Sequence, residues 1–366
     1  MRILLIGEYS RLHLSLAEGL RELGHEVLVA SDGDGFKDYP RDIDLTRKSS
    51  GIIDTFSSIF NFNRKFARFT DYDVVQVINP CFTTLNVRFN ESFWGKLKGN
   101  NKKIFLGAFG DDSYWVRALK ENKTFKYSEF FVDGKPTNLK YNEKLEALWL
   151  DSPREKANRE MAKEADGIAA CLYEYYKSYE PYYSGKLRYI PLPVNMNLIA
   201  YNPITTVPER VNFFIGINRD RSEYKGTDIM ERALLRLAGK YPDEVIATRV
   251  ESVSYDEYKR LMSEAHVVLD QLYSCSPAMN ALLAMAQGKV LVGGGEPEMY
   301  DLMGEKVNRP IVNVHPTEED VFAKLEWLVQ NKEQIPALSE QGYSFVAQHH
   351  NHVKVAQQYL DFWGKH

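Results

Sequence analysis

Residues 1–30 read MRILLIGEYSRLHLSLAEGLRELGHEVLVA, and this stretch decides the fold. Arg2 to Ile6 is a short apolar run that Gly7-Glu8-Tyr9-Ser10 breaks. Leu12, Leu16, Leu20 and Leu23 then recur at helical spacing, Gly24 stops the helix, and Val27 to Ala30 is a second apolar run. A strand-helix-strand unit this compact needs a parallel pair with a right-handed crossover. Apolar runs recur at Val74–Ile78, Lys103–Leu106, Gly167–Cys171 and Leu187–Ile190, with helical stretches between them. The pattern predicts a doubly wound, Rossmann-like α/β domain over residues 1–192. Residues 108–152 interrupt it with a Tyr-, Trp- and Lys-rich insertion. Within that insertion, Phe130 to Lys135 carries an Asp-Gly hairpin signal. Insertions at strand ends in such domains tend to shape a substrate site.

Four prolines, at 191, 193, 203 and 208, mark a linker expected over 193–209. The alternation then restarts. Strands are predicted at Val211–Ile217, Val245–Val250, Val267–Asp270, Val290–Val292 and Ile311–Val314. Helices fall near Thr227–Gly239, Tyr258–Ala265 and Pro277–Gln287, and around Val321 to Val329. This is a second Rossmann-like domain, 210–342, followed by an amphipathic helix over 343–366. Two such domains predict a cleft facing the carboxyl ends of both sheets, where ligands bind.

Composition bounds the function. The 366 residues are 44% hydrophobic and 26% charged, which is ordinary for a soluble globular chain. With 46 basic against 50 acidic residues the net charge is -4, which argues against nucleic acid as partner. Cys81, Cys171 and Cys275 are too far apart for a disulfide framework or a metal cluster. The opening apolar run is short for a signal segment, so a cytoplasmic protein is expected, a monomer or weak dimer. The 22 tyrosines and 19 phenylalanines are high and suit a cleft lined by rings with polar tips.

Three stretches carry chemistry. After the strand Val211–Ile217 comes Asn218-Arg219-Asp220-Arg221-Ser222-Glu223-Tyr224-Lys225-Gly226-Thr227-Asp228, with two guanidiniums and an ammonium on one loop. Such a loop suits a nucleotide diphosphate, and equally a solvated set of pairs with Asp220, Glu223 and Asp228. Thr227 or Asp228 can cap the next helix. Ser274-Cys275-Ser276-Pro277 opens an Ala/Leu/Met-rich helix ending at Gly288, with Ser276 as the expected N-cap and Asn280 one turn in. Gly293-Gly294-Gly295-Glu296-Pro297-Glu298 follows a strand; glycines permit close backbone approach and carboxylates accept from sugar hydroxyls.

The segments SEYKGTDIMERALLRL, ALLAMAQGKVLV and GGEPE resemble, in residue and spacing, the second domain of GT-B glycosyltransferases of the GT4 type (glycosyltransferase group 1). The resemblance implies a GT-B fold and a UDP-, GDP- or ADP-sugar donor on the second domain. It also implies a hydroxyl acceptor (a glycan or lipid-linked glycan) on the first, and transfer with retention. Carried over, Arg219 or Arg221 and Lys225 would neutralise the diphosphate in place of a metal, with no other cofactor, and Glu298 would lie near the nucleotide. The family's two glutamates, eight positions apart, fall at Cys275 and Leu283, and neither is acidic. Asp270, Ser276, Asn280 or Glu296 are the candidate substitutes. A degenerate binder without turnover, and a nucleotide-sugar epimerase or phosphorylase of the same fold, stay open as alternatives. Gly294 and Gly295 complete the expected donor site, and Gly7 approaches it from the first domain.

In the first domain, Asp111 and Asp112 follow the strand ending near Leu106 and read as a catalytic or acceptor corner, or as a helix cap. His13 reads as a helix-start residue. His349, His350 and His352 read as an exposed helix start rather than a metal site. Phe56 to Phe69 interleaves aromatics with Arg64, Lys65 and Arg68. It reads as a helix packed on the first sheet or as a peripheral membrane contact.

Overall fold

The computed structural model describes residues 1–47, 51, 54–55, 59–60, 62 and 64–366. The chain forms two compact units. The first unit comprises Met1–Ala118, Glu143–Asn195 and His352–His366, and the second comprises Leu119–Asn142 and Met196–Asn351. Residues 119–142, which lie inside the span expected of the first domain, therefore pack with the second.

The first unit is built on a parallel sheet of order β3-β2-β1-β4-β5-β8-β9. Its strands are β1 (Arg2–Ile6), β2 (Glu26–Ser31), β3 (Ile43–Asp44), β4 (Val74–Val77), β5 (Ile104–Ala108), β8 (Gly167–Ala170) and β9 (Leu187–Tyr189). Ile3 pairs with Val27 on one side and Val74 on the other, so β1 is central and all but its first residue is buried. The helix Leu12–Glu22 returns the chain from β1 to β2, with Leu12, Leu16 and Leu20 buried. Its N-terminal amides are held by an acid outside the helix. The Glu8 carboxylate accepts from the backbone N–H of His13 at 3.3 Å and of Leu14 at 2.9 Å. His13 is buried and neutral; burial pushes its imidazole down to about 3. Its Nδ1 donates to the Gly7 carbonyl at 2.8 Å, and its Nε2 accepts from Gln76 at 3.3 Å.

The second unit carries the parallel sheet β11-β10-β12-β13-β14. The strands are β10 (Val211–Ile217), β11 (Val245–Glu251), β12 (Val267–Leu269), β13 (Val290–Gly293) and β14 (Val312–Asn313). Phe213 and Ile215 face a core with Met230, Leu234, Leu237, Leu325 and Leu328, while Phe214 packs oppositely with Met262, Val268 and Ala284. Burial on both faces explains why the inner strands β12 and β13 read as continuous apolar runs. The Asp-Gly signal is a two-stranded hairpin, β6 (Phe131–Val132) and β7 (Lys135–Pro136). Its turn residues Asp133 and Gly134 have φ of 50° and 72°, as that turn requires.

Three local expectations differ. The buried helix runs Met279–Ala286, with the extended Ala278 before it, so Ser276 is not its N-cap. The segment before it folds as a loop in which the Ser274 hydroxyl donates to the Ser276 carbonyl at 2.7 Å. The last segment is two helices, Ile335–His349 and His352–Lys365, because the chain leaves one unit and enters the other between them. His350 and His352 are buried there, not exposed. His349 bonds to Glu305 at 2.7 Å, and His352 bonds to Glu22 at 2.8 Å. The stretch 56–69 lies partly outside the described residues. Within it, Phe62 packs on Phe89 and Phe93 (ring centroids 5.1 and 5.4 Å), and Phe60 is exposed. Among the described residues, no helix is long and apolar enough to cross a membrane.

Candidate active site

The carboxyl edge of the five-stranded sheet gathers nearly all the donor-site candidates. β10 runs into the loop 218–226, which closes with a four-residue helical turn, Ser222–Lys225, ending at Gly226. Gly226 has φ +68°, and a Cβ there would meet the Leu272 side chain at 2.6 Å, so both the turn and the packing demand glycine. The Lys225 carbonyl accepts from the Leu272 N–H at 2.9 Å, tying this loop to the one after β12. Neither Thr227 nor Asp228 caps the helix Thr227–Lys240. Gly226 occupies that position, Thr227 shares a hydrogen bond with Ser222 at 2.9 Å, and Asp228 pairs with Arg232 at 3.0 Å.

The three cations differ in setting. Arg219 is 79% exposed and pairs with Glu251 at the end of β11. Arg221 is half-buried, its guanidinium 5.2 Å from the Tyr224 ring and 5.9 Å from the Tyr141 ring. Those two rings are 4.2 Å apart, and the Arg221 Nε is buried without a hydrogen-bond partner. Lys225 is half-buried.

Beyond β12, the Asp270 carboxylate accepts from Asn280 at 3.2 Å, and Asn280 in turn accepts from the Tyr258 hydroxyl at 3.1 Å. This chain fixes the amide of Asn280: its oxygen faces a hydroxyl donor and its nitrogen a carboxylate. The loop after β13 crosses the loop after β12. A Cβ on Gly294 would lie 1.9 Å from the Ser274 carbonyl oxygen, and one on Gly295 would lie 2.7 Å from Ile311. The glycine run is thus demanded by the chain's own crossing. Glu296 donates its N–H to the Cys275 carbonyl at 3.1 Å, and Gly295 donates to Asn313 at 2.9 Å.

Glu296 is the most heavily engaged carboxylate of this edge. It accepts from Asn313 at 2.7 Å, Lys126 at 2.9 Å and the Tyr127 hydroxyl at 3.0 Å. Burial pushes its proton affinity up, and these three donors overcome that and hold it below the ordinary glutamate value. Lys126 also reaches Glu298 at 2.8 Å, and the two carboxylates raise its ammonium above the ordinary lysine value. One Glu298 oxygen is buried without a partner. Of the two positions where the resemblance leads one to expect glutamates, Cys275 is buried and Leu283 half-buried.

In the first unit, Gly7 has φ +87°, and a Cβ there would overlap Ile78 at 2.2 Å. Asp112 is fully buried and caps the helix Ser113–Glu121. One oxygen accepts from the Trp115 N–H at 2.9 Å and the other from the Tyr179 hydroxyl at 2.6 Å. Burial pushes this carboxyl up to about 6 against those bonds. Asp111 is half-buried, and its carbonyl accepts from Asn79 at 3.1 Å. Residues 7–9, Asp32, Leu45, Ile78 and 81–84 border a cavity of about 190 Å³ in this unit.

Sequence reasoning missed Glu8, Lys126, Tyr127, Tyr141, Tyr258, Glu251 and Asn313. The insertion holding Lys126, Tyr127 and Tyr141 was legible as site-shaping from its composition, but nothing local named Glu296 as the partner.

Residues 226–361, less than half of the chain, match the family described as glycosyl transferase-like. The whole chain superposes on sucrose-phosphate synthase from Thermosynechococcus elongatus at a TM-score of 0.64 with 13% identity, covering 100% of this chain and 99% of that one. The chain has the GT-B fold. Anabaena HepE in complex with UDP and glucose gives a TM-score of 0.61 at 14% identity and full coverage of both chains. WaaG, a glycosyltransferase involved in lipopolysaccharide biosynthesis, gives 0.59 at 12% identity and 99% coverage of both. No curated protein matches the sequence.

Proposed function

We propose that this glycosyltransferase moves a sugar from a nucleoside diphosphate sugar to a hydroxyl of a glycan or lipid-linked glycan, with retention at the anomeric carbon. The donor diphosphate binds at the loop 218–226, where Arg221 and Lys225 are the principal cations and Arg219 contributes from solvent. Asp270, Ser276, Asn280, Gly294, Gly295, Glu296 and Glu298 surround the sugar and nucleoside. Asp111 lies on the acceptor side in the first unit, near Gly7, and Asp112 holds that corner through its cap. The observation that carries this reading is Arg221. A planar guanidinium stacked on two tyrosines, with a buried unpaired N–H, is pre-organised for a phosphate oxygen.

In the reaction the bond from the anomeric carbon to the phosphate oxygen breaks and a bond to the acceptor oxygen forms. The acceptor's proton leaves with the departing diphosphate. Fixed cations stabilise the charge that grows on that group without reorganising during the step, which is where electrostatic catalysis is strongest. UDP is the first nucleotide to try, because the Anabaena relative of like fold is bound to it. Titration calorimetry with UDP, GDP and ADP, followed by transfer assays on the sugar nucleotide of the base that binds, tests the reading. Failure of all three nucleotides to bind would refute it. Cys275 and Leu283 in place of two glutamates favour a second reading, a binder without turnover. Binding with neither transfer nor donor hydrolysis would select that one, and sugar-nucleotide isomerisation without acceptor would select an epimerase.

A further inference from the structure

We propose that the cavity beside Gly7 receives one uncharged sugar ring through its hydroxyls and excludes phosphorylated sugars, so that the acceptor terminus is a neutral glycosyl residue. The proposal rests on the transferase reading for the word acceptor, and on this cavity alone for the ligand's chemistry. Its volume, about 190 Å³, equals about six waters at roughly 30 Å³ each. That is room for a single ring.

The lining sorts into three kinds of group. Leu45, Ile78 and Phe82 are buried apolar residues that suit the C–H faces of a pyranose. Tyr9, Thr83 and Thr84 bring hydroxyls, which donate and accept. Asp32 and Glu8 bring carboxylates. One Asp32 oxygen accepts from the Asp34 N–H at 3.2 Å, which leaves its second oxygen for a ligand hydroxyl. Among the described lining residues there is no lysine, arginine or histidine. Three of the cations nearby are engaged elsewhere. Lys37 pairs with Asp34 at 2.6 Å and donates to Ser10 at 3.1 Å, and Arg41 is held by Asp38 and Asp44. Arg154, whose charge is felt at Cys81, lies 5.5 Å from the Trp149 ring and does not line the cavity. Burial also pushes the Glu8 carboxyl up to about 7, and in its protonated form it adds a donor. A ligand hydroxyl finds both donors and acceptors in this setting. A phosphate finds a carboxylate and, among the described lining residues, no counter-charge, which is exclusion by unpaired like charge.

The test is ligand-observed saturation-transfer NMR on the full chain. The probes are the methyl glycosides of glucose, galactose, mannose and N-acetylglucosamine, each against its 6-phosphate, with UDP calorimetry run in parallel. The expected result is transfer to ring protons of at least one neutral glycoside, with its 6-phosphate weaker by on the order of tenfold or more. Asp32→Lys should abolish the neutral signal and narrow that gap, while UDP affinity stays unchanged. Equal or tighter binding of a 6-phosphate, or an Asp32→Lys variant that binds neutral glycosides as before, would overturn the proposal. Glycosides silent while UDP binds would overturn it and leave the transferase reading standing. Glycosides bound while UDP, GDP and ADP fail would sink that reading and keep this one.

Discussion

Glu8→Gln offers a direct test of how the first unit is held together. The Glu8 carboxyl is buried and pushed from its ordinary 4.5 up to about 7, with desolvation outweighing the two backbone N–H bonds it accepts. A carboxyl whose folded value is raised takes up its proton on folding. Its contribution to stability is therefore present in full below about 4.5 and lost as the pH rises through about 7. With about 1.4 kcal/mol for each tenfold change in proton affinity, the wild type should lose about 2.5 kcal/mol to this group between pH 5 and pH 8. Glutamine cannot ionise, so the variant should lose none of it. Its lost second acceptor oxygen gives an offset that does not depend on pH. Asp112, raised to about 6, and His13, lowered to about 3, also make stability vary with pH, but they are the same in both proteins and cancel in the difference. Urea unfolding followed by tryptophan fluorescence suits the purpose, because Trp94, Trp115, Trp149 and Trp363 belong to the first unit and only Trp327 to the second. The gap in stability between variant and wild type should grow in the variant's favour from pH 5 to pH 8. A gap constant across that range would refute the assignment of Glu8 as a buried, protonating cap.

Six further substitutions probe the second unit. Arg221→Ala and Lys225→Ala should each weaken UDP by about tenfold to a hundredfold, while Arg219→Ala, exposed and paired with Glu251, should cost about twofold to fivefold by the same calorimetry. An equal loss at all three would contradict the ranking. Gly294→Ala drives a Cβ to 1.9 Å from a backbone oxygen, so thermal melting should show a loss of about 3 kcal/mol or more; Gly239→Ala, with nothing within 4 Å, should be neutral or stabilising by about 0.5–1 kcal/mol. Lys126→Met removes one of three donors to the buried Glu296 and should cost about 1–2 kcal/mol, discounted because the ammonium is half in water. An unchanged melting temperature for that variant would show the contact to be idle.

Where one local rule governed a segment, the sequence was readable. The strand Val211–Ile217 is bounded as expected because both its faces are apolar and its ends are polar. Asp133-Gly134 makes its hairpin because so few residue pairs accept two positive φ angles. The misreadings arose where distant groups outbid a local preference. Ser276 has the chemistry of an N-cap, yet its loop is held by Ser274 and by the Gly294 crossing, so the helix begins later. Glu8 looked like part of a turn, and only the fold shows that its carboxylate caps the next helix. The loop cations were visible as a cluster, but their ranking depends on Tyr141, eighty positions away and in a segment without periodicity.

The partition of the chain has a practical consequence. The backbone passes between the two units at 118/119, 142/143, 195/196 and 351/352. No single cut can therefore release either one whole. A fragment ending at Asn195 would lack the helix His352–Lys365 that packs beside Leu12–Glu22, and would carry residues 119–142 with their partners Glu296 and His315 gone. A fragment from Met196 onward would leave the Glu296 carboxylate without Lys126 and Tyr127. Swapping the second unit between proteins of this design succeeds only if the short excursion after Ala118 travels with it. Recombination at the proline-bearing linker alone would produce two ill-matched partners.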